Sequence, residues 1–534
     1  MASSTTTAVK QSSGGLWSKW GTGSNLSFVS RKEQQQQQQQ SSPEASTPAA
    51  QQEKSISRES IPEGFLTVEE VSKHDNPSDC WIVINDKVYD VSAFGKTHPG
   101  GPVIFTQAGR DATDSFKVFH SAKAWQFLQD LYIGDLYNAE PVSELVKDYR
   151  DLRTAFMRSQ LFKSSKMYYV TKCVTNFAIL AASLAVIAWS QTYLAVLCSS
   201  FLLALFWQQC GWLSHDFLHH QVTENRSLNT YFGGLFWGNF AQGYSVGWWK
   251  TKHNVHHAAT NECDDKYQPI DPDIDTVPLL AWSKEILATV DDQFFRSIIS
   301  VQHLLFFPLL FLARFSWLHS SWAHASNFEM PRYMRWAEKA SLLGHYGASI
   351  GAAFYILPIP QAICWLFLSQ LFCGALLSIV FVISHNGMDV YNDPRDFVTA
   401  QVTSTRNIEG NFFNDWFTGG LNRQIEHHLF PSLPRHNLAK VAPHVKALCA
   451  KHGLHYEELS LGTGVCRVFN RLVEVAYAAK LEQGNSTREG DSNLDFLFLM
   501  LHTFSNIRLH AFKFQLQLIV FSNHRLLQLG DLQN

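Results

Sequence analysis

Five apolar runs restrict this chain more than any other feature. They lie at about 172–189, 191–213, 299–318, 340–357 and 361–384 of the 534 residues. A helix needs ~20 apolar residues to cross ~30 Å of hydrocarbon. Backbone polar groups can be satisfied there only within helices or closed barrels. The first two runs, with Ser190, Gln191 and Thr192 between them, predict a helical hairpin.

Histidine clusters follow these runs. His215-Asp-Phe-Leu-His219-His220 ends the second run, and His253-Asn-Val-His256-His257 comes next. Gln424-Ile-Glu-His427-His428 follows the last run. Positions i, i+3 and i+4 of a helix share a face, so each cluster can aim two or three imidazoles at one point. His220 is turned ~100° from His219. Gln424 stands where box two has its first histidine, and its carbonyl is a weaker, neutral donor. Imidazole suits iron, copper, nickel and zinc. Seven or eight of them exceed the four ligands of one tetrahedral zinc, so the pattern predicts a metal pair at a membrane surface. A single HxxxH would be weak evidence, because buried histidines are usually structural.

If the boxes share one side, the chain between boxes two and three must cross an even number of times. The run 299–318 is taken as interfacial, because His303 and Arg314 are costly at the bilayer centre. That leaves about four transmembrane helices. Lys163, Lys166, Lys172, Lys250 and Lys252 place the box side in the cytosol by the positive-inside rule.

The net charge of −3 gives no reason to expect a nucleic-acid partner. Nine cysteines without a CxxC pair argue for a reducing compartment. Residues 1–61, with a glutamine run at 34–40, read as a disordered tail. Residues 62–140 read as a small soluble domain, 141–168 as a polar link, 169–484 as the membrane domain, and 485–534 as an extension without a motif. The last contains the apolar stretches Leu494–Leu501 and Leu516–Phe521, separated by charged residues.

The soluble domain carries His98-Pro-Gly-Gly101 after two strand-like segments, Trp81–Ile84 and Val88–Val91, and then Phe119-His120-Ser121. Two histidines gripping one iron from both faces leave no open position, so such a haem transfers electrons. Residues 64–137 resemble cytochrome b5. That resemblance implies haem b with His98 and His120 as axial ligands.

The three boxes, with Q-x-x-H-H as the third, resemble the front-end fatty acyl desaturases that carry an N-terminal cytochrome b5 domain. Ser214-His-Asp-Phe-Leu-His-His-Gln and Trp248-Trp-Lys-Thr-Lys-His-Asn-Val-His-His look most like bryophyte Δ6 acyl-lipid desaturases. The implied fold is multi-domain: a small α+β haem domain, then an all-α integral membrane domain with interfacial helices. The implied cofactors are haem b and two non-haem irons, with O2 as co-substrate. His215, His219, His253, His256, His257, Gln424, His427 and His428 are the expected catalytic set. His220 and His385, the latter in Ser384-His-Asn-Gly387, join them as expected metal ligands. Asp216, Asn254, Asp415 and Glu426 are candidates to orient the cage.

The implied activity is insertion of a cis double bond near the carboxyl end, at Δ6, of a polyunsaturated chain held on a lipid or on CoA. NADH-cytochrome b5 reductase is the implied electron source, and the endoplasmic reticulum membrane the implied location. A sphingolipid long-chain-base Δ8 desaturase, an acyl desaturase with acetylenase activity, an acyl hydroxylase and a membrane-anchored electron carrier stay open at this stage.

Overall fold

The computed structural model describes residues 61–327 and 331–487. The tail and the apolar stretches near the C-terminus named above lie outside the described residues.

A five-stranded sheet forms the first layer: β1 (Phe65–Leu66), β2 (Asp75–Asn76), β3 (Asp79–Ile84), β4 (Lys87–Asp90) and β5 (Tyr132–Leu136), in the order β1-β5-β4-β3-β2. Asn85 and Asp86 turn β3 into β4 with φ of 50° and 58°. Two positive φ values match the right-handed twist of the flanking strands. Cys80, Ile82 and Ile84 face one core with Tyr89, Phe105 and Leu128. Val83 faces another with Val71 and Val88. Both faces of β3 are therefore covered, which explains an apolar run in place of alternation.

The predicted hairpin is present as helices Lys166–Trp189 and Tyr193–Leu218. Ser165 and Thr192 cap them, each accepting a bond from a backbone N–H of the first turn. The second helix runs through the centre of the bundle, against the first helix, Ile359–His385 and a π-helix at Asn229–Gln242. Inside, Ser183 Oγ lies 3.0 Å from Ser199 Oγ, and Trp365 Nε1 donates to Ser199 Oγ at 2.8 Å. Short polar bonds of this kind join helices where apolar burial cannot distinguish protein from lipid. Gly233 lets the π-helix close on the hairpin: an added Cβ would stand 2.0 Å from the Phe217 Cβ.

The assignment of spans needs one correction. Among the described residues four helices are long and apolar enough to cross a membrane: Lys166–Trp189, Tyr193–Leu218, Gln302–Ala325 and Ile359–His385. The third contains the run taken as interfacial. Helix Arg332–Ile356, which contains the run taken as a span, falls outside this set. Its charged first turns and its Gly, Ser, His and Tyr residues dilute its apolarity. Arg314 did not forbid a span because protein groups receive its Nε and Nη2, leaving Nη1 alone without a partner among the described residues. It is fully buried, donates to the Gln242 carbonyl and to Gln370 Oε1, and sits 5.5 Å from the Trp207 ring centre. The number of candidate spans between boxes two and three is still even.

Helix Glu144–Arg158 crosses the stretch read as a link. Its Tyr149 and Phe156 are buried against Phe430, and Tyr149 Oη donates to the Leu429 carbonyl at 2.8 Å. It thereby braces box three.

Arg314→Met would keep the volume and leave the Gln242 carbonyl unpaired. The expected loss is about 1–3 kcal/mol, read as a lower thermal unfolding midpoint of the detergent-solubilised protein. An unchanged midpoint would mean the guanidinium contributes nothing net.

Candidate metal centre

Each histidine box is delivered by the end of a structural element. His215 lies in the last turn of helix Tyr193–Leu218, and His219 is its C-cap, donating its N–H to the His215 carbonyl at 3.0 Å. Box two rides on helix Val246–Ala258. Ser245 caps that helix and donates to buried Glu338, which also accepts the Gly247 N–H at 2.9 Å. Box three forms the short helix Gln424–Leu429, and His385 ends helix Ile359–His385.

These ends converge into two groups. His215, His219, His253, His257 and His427 form one, and His256, His385 and His428 the other. Within each, the donor nitrogens lie within 4.8 Å of one another. The His257 and His428 rings stack at 4.1 Å, joining the groups. Eight of the nine candidate cage histidines are thus brought together. His220 stands in neither group. Its φ of 59° turns it away, and it borders the haem cavity. Gln424 stands beside the smaller group, its Nε2 2.8 Å from His385 Nε2.

The donor atoms suit metal. His219 Nε2 and His253 Nε2 are 2.8 Å apart, and His257 Nε2 and His253 Nε2 3.0 Å. Metal–nitrogen bonds of roughly 2.1 Å at a right angle would leave nitrogens about 3 Å apart. His215 Nε2, His427 Nε2, His428 Nε2 and Gln424 Oε1 are buried without a hydrogen-bond partner. Buried polar atoms are rarely left so. Burial, then neighbouring imidazoles, pushes the pKa values of His219, His253, His257, His427 and His428 well below the ordinary range. The rings are therefore neutral at pH 7, the form that binds metal.

Hydrogen bonds to the other ring nitrogen aim several of these rings. His256 Nδ1 donates to Asp271 at 2.9 Å, and His428 Nδ1 to Gln401 Oε1 at 2.7 Å. Gln401 Nε2 reaches back to the His257 carbonyl at 3.0 Å. Burial opposes a charge on His256, but Asp271 and Asp273 outweigh it and raise its pKa to about 9. Sequence reasoning missed Asp271 and Gln401. The acidic Asp271-Pro-Asp273 segment after box two was the available signal for the first; Gln401 offered none. Of the four proposed orienting residues, Asp216 lies beside His215 and pairs with Arg435 at 2.6 Å. Asn254 points to the haem module, Glu426 bonds Asn407 and Tyr456, and Asp415 bonds Asn422.

In the haem module, His98 and His120 face each other with ring centres 5.9 Å apart. His98 Nδ1 donates to the Gly101 carbonyl at 3.0 Å and His120 Nδ1 to the Phe116 carbonyl at 3.1 Å. Both bonds leave Nε2 as the free donor. A cavity of about 460 Å³ opens at these rings, lined by Phe94, Val103, Ile104 and Phe116 among others. The two glycines of the motif have separate reasons. Gly101 has a φ of 80°, and a Cβ on Gly100 would stand 2.6 Å from the His98 ring.

The module sits on the box-two helix. Asn254 Nδ2 donates to the Gly100 carbonyl at 2.9 Å, and Gln107 Nε2 to the Ala258 carbonyl at 3.3 Å. Arg110 pairs with buried Glu262, and Arg150 holds Asp114 through two bonds of 2.8 Å. The Phe119 ring, next to His120, lies 6.1 Å from the His257 ring.

Comparison with known proteins fits this architecture. The fatty acid desaturase family matches residues 190–460, and the cytochrome b5-like haem/steroid binding domain matches residues 67–137. An acyl-lipid (9-3)-desaturase of Physcomitrium patens is 58% identical over 77% of this chain and 78% of its own length. The Delta(6)-fatty-acid desaturase fat-3 of Caenorhabditis elegans is 34% identical over 70% of this chain and 90% of its own. A Delta(8)-fatty-acid desaturase of Helianthus annuus is 32% identical over 75% and 89%. The chain belongs to the fatty acid desaturase family, as a front-end acyl-lipid desaturase fused to cytochrome b5. Haem b, a pair of non-haem irons and O2 are its cofactors and oxidant.

Asp271→Asn should weaken iron binding by about 10–100-fold, with the loss confined to part of the non-haem iron when metal is counted per chain. Full iron content at limiting iron would remove Asp271 from this role. Gly100→Ala should displace the His98 ring and shift or broaden the Soret band, while β3 and β4 keep the domain folded.

Proposed function

We propose that this chain inserts a cis double bond at Δ6 of a lipid-linked polyunsaturated acyl chain, using electrons from its own haem. The observation that carries the reading is the pairing of two histidine groups at membrane-helix ends with a haem module seated on the box-two helix. The residue roles follow. His98 and His120 would hold the haem. His215, His219, His253, His257 and His427 would hold one iron, and His256, His385, His428 and Gln424 the other. His220 is left to the haem side.

No side chain can break an unactivated methylene C–H; the iron pair with O2 supplies that power, and the haem supplies electrons one at a time. The protein's part is positional. Asp271 and Gln401 hold ring orientations, and the Asp216–Arg435 pair backs His215. Phe119 shortens the gap between His120 and His257. The bundle keeps the acyl chain in an apolar surrounding beside the cage.

The Δ6 position draws on the printed name of the C. elegans relative. The H. annuus relative supports the runner-up, a Δ8 position. The haem domain is assigned to 62–140 and the membrane domain to 169–484. NADH-cytochrome b5 reductase is the proposed electron source. The endoplasmic reticulum membrane, with boxes and haem in the cytosol, is the proposed location, supported by the lysines around the hairpin and box two.

Yeast expressing the chain and fed defined fatty acids should accumulate Δ6 products. Accumulation of Δ8 products alone would decide for the runner-up. His98→Ala should remove the Soret band and product together. Full activity of that variant without free cytochrome b5 would refute supply from its own haem. Iron should number about three per chain. Gln424→Ala should strongly reduce turnover at equal protein level and Gln424→His should restore part of it, because imidazole can occupy the same place.

A further inference from the structure

The haem cavity has one wall that the haem module does not make. His220, Arg226, Lys250, Asn254 and Pro431 of the membrane part line it together with His98 and His120. Its charged lining is Lys123, Arg226 and Lys250, and among the described residues no carboxylate borders it. Among the described residues no acid pairs with any of the three. Arg226 donates only to the Phe119 carbonyl, at 3.2 Å, and Lys250 is half-buried on the box-two helix. Lys250 is the half-buried one, while Arg226 and Lys123 are exposed at the rim; a half-buried cation without a partner is costly, and a positive rim without a carboxylate suits an anion. Burial and then Arg226 lower the Lys250 pKa, the direction expected where positive charge lacks a counter-ion.

Haem b carries two carboxylates on one edge. The cavity runs without interruption from the paired imidazoles to these cations. We propose that Lys250 and Arg226 bind the haem carboxylates, so that the membrane domain completes the haem site. Two consequences follow from charge. Cations beside the haem favour the reduced state, which has one more negative charge, and so raise its potential. Haem also becomes a bridge that fastens the module to the box-two helix. The inference rests on His98 and His120 being the haem ligands. Its failure is separable: loss of that ligation changes the Soret band, whereas loss of the carboxylate contacts leaves the band and moves the potential.

The test is spectro-electrochemical titration of the full chain in detergent, loaded with haem b or its dimethyl ester. With haem b, Lys250→Met and Arg226→Met should each lower the one-electron reduction constant several-fold, the pair by about tenfold, equivalent to 59 mV. Haem transfer to apomyoglobin should become several-fold faster, and Lys250→Arg should restore both readings. Wild type carrying the ester loses two negative charges beside the iron, so its potential should rise; its haem should pass to apomyoglobin several-fold faster than haem b does, and the substitutions should then add nothing to that rate. That arm needs no substitution, so a poorly folding variant does not block it. An unmoved release rate with the ester, or equal acceleration by the substitutions on both haems, would overturn the proposal. A raised KM for lipid with an unmoved potential would also overturn it, assigning the cations to a lipid phosphate.

Discussion

Eight imidazoles packed away from water in two groups, each with its donor nitrogens within 4.8 Å of one another, set the terms for the rest of the molecule. Ring nitrogens cannot all donate, and in so small a volume the rings cannot all carry charge. The crowd is tolerable only if nearly all the rings are neutral, with the exception, His256, countered by Asp271 and Asp273, and if the rings are held in fixed rotamers and given something to bind. Around it the scaffold is correspondingly stiff. Glu338 pins the start of the box-two helix, Asp271 and Gln401 fix ring tautomers, and helix Glu144–Arg158 presses on box three. These partners come from segments far apart in sequence, so the cage is a property of the whole bundle.

The membrane part shows the same reliance on polar contacts where water is absent. Arg314, Ser183, Ser199 and Trp365 bond across helices near the middle of the apolar runs. Those bonds fix the relative heights of the helices, and with them the heights of His215 and His385 at the helix ends. A shift of one turn, ~5.4 Å, would separate donor nitrogens that now lie within 4.8 Å.

Much of the site was readable because its signals are local. An i, i+3, i+4 pattern names imidazoles on one helix face, and His98 and His120 sit in compact motifs. Eight of nine cage candidates do converge. What was not readable depended on distance through space. His220 looked like part of box one, but a left-handed backbone residue after the helix cap redirects it. Asn254 looked like a cage residue and instead holds the haem turn. Gln401 has no pattern of its own; its role exists only because helix Phe397–Ser404 passes beside His257 and His428. The choice of spans failed at Arg314 for a related reason. Cost at the bilayer centre was judged for an isolated side chain, while the carbonyl that receives it belongs to a helix some seventy residues away in sequence.

The Asn254 bond to the Gly100 carbonyl has a consequence for timing. One helix presents its imidazoles to the cage and, between them, an amide to the haem turn. The donor is therefore moored at its acceptor instead of diffusing to it, and its local concentration does not depend on how much carrier the cell holds. A haem stores one electron, whereas a double bond made with O2 consumes two. The same pocket must be recharged midway through every turnover, so a berth that speeds the first delivery also governs how soon the second can follow.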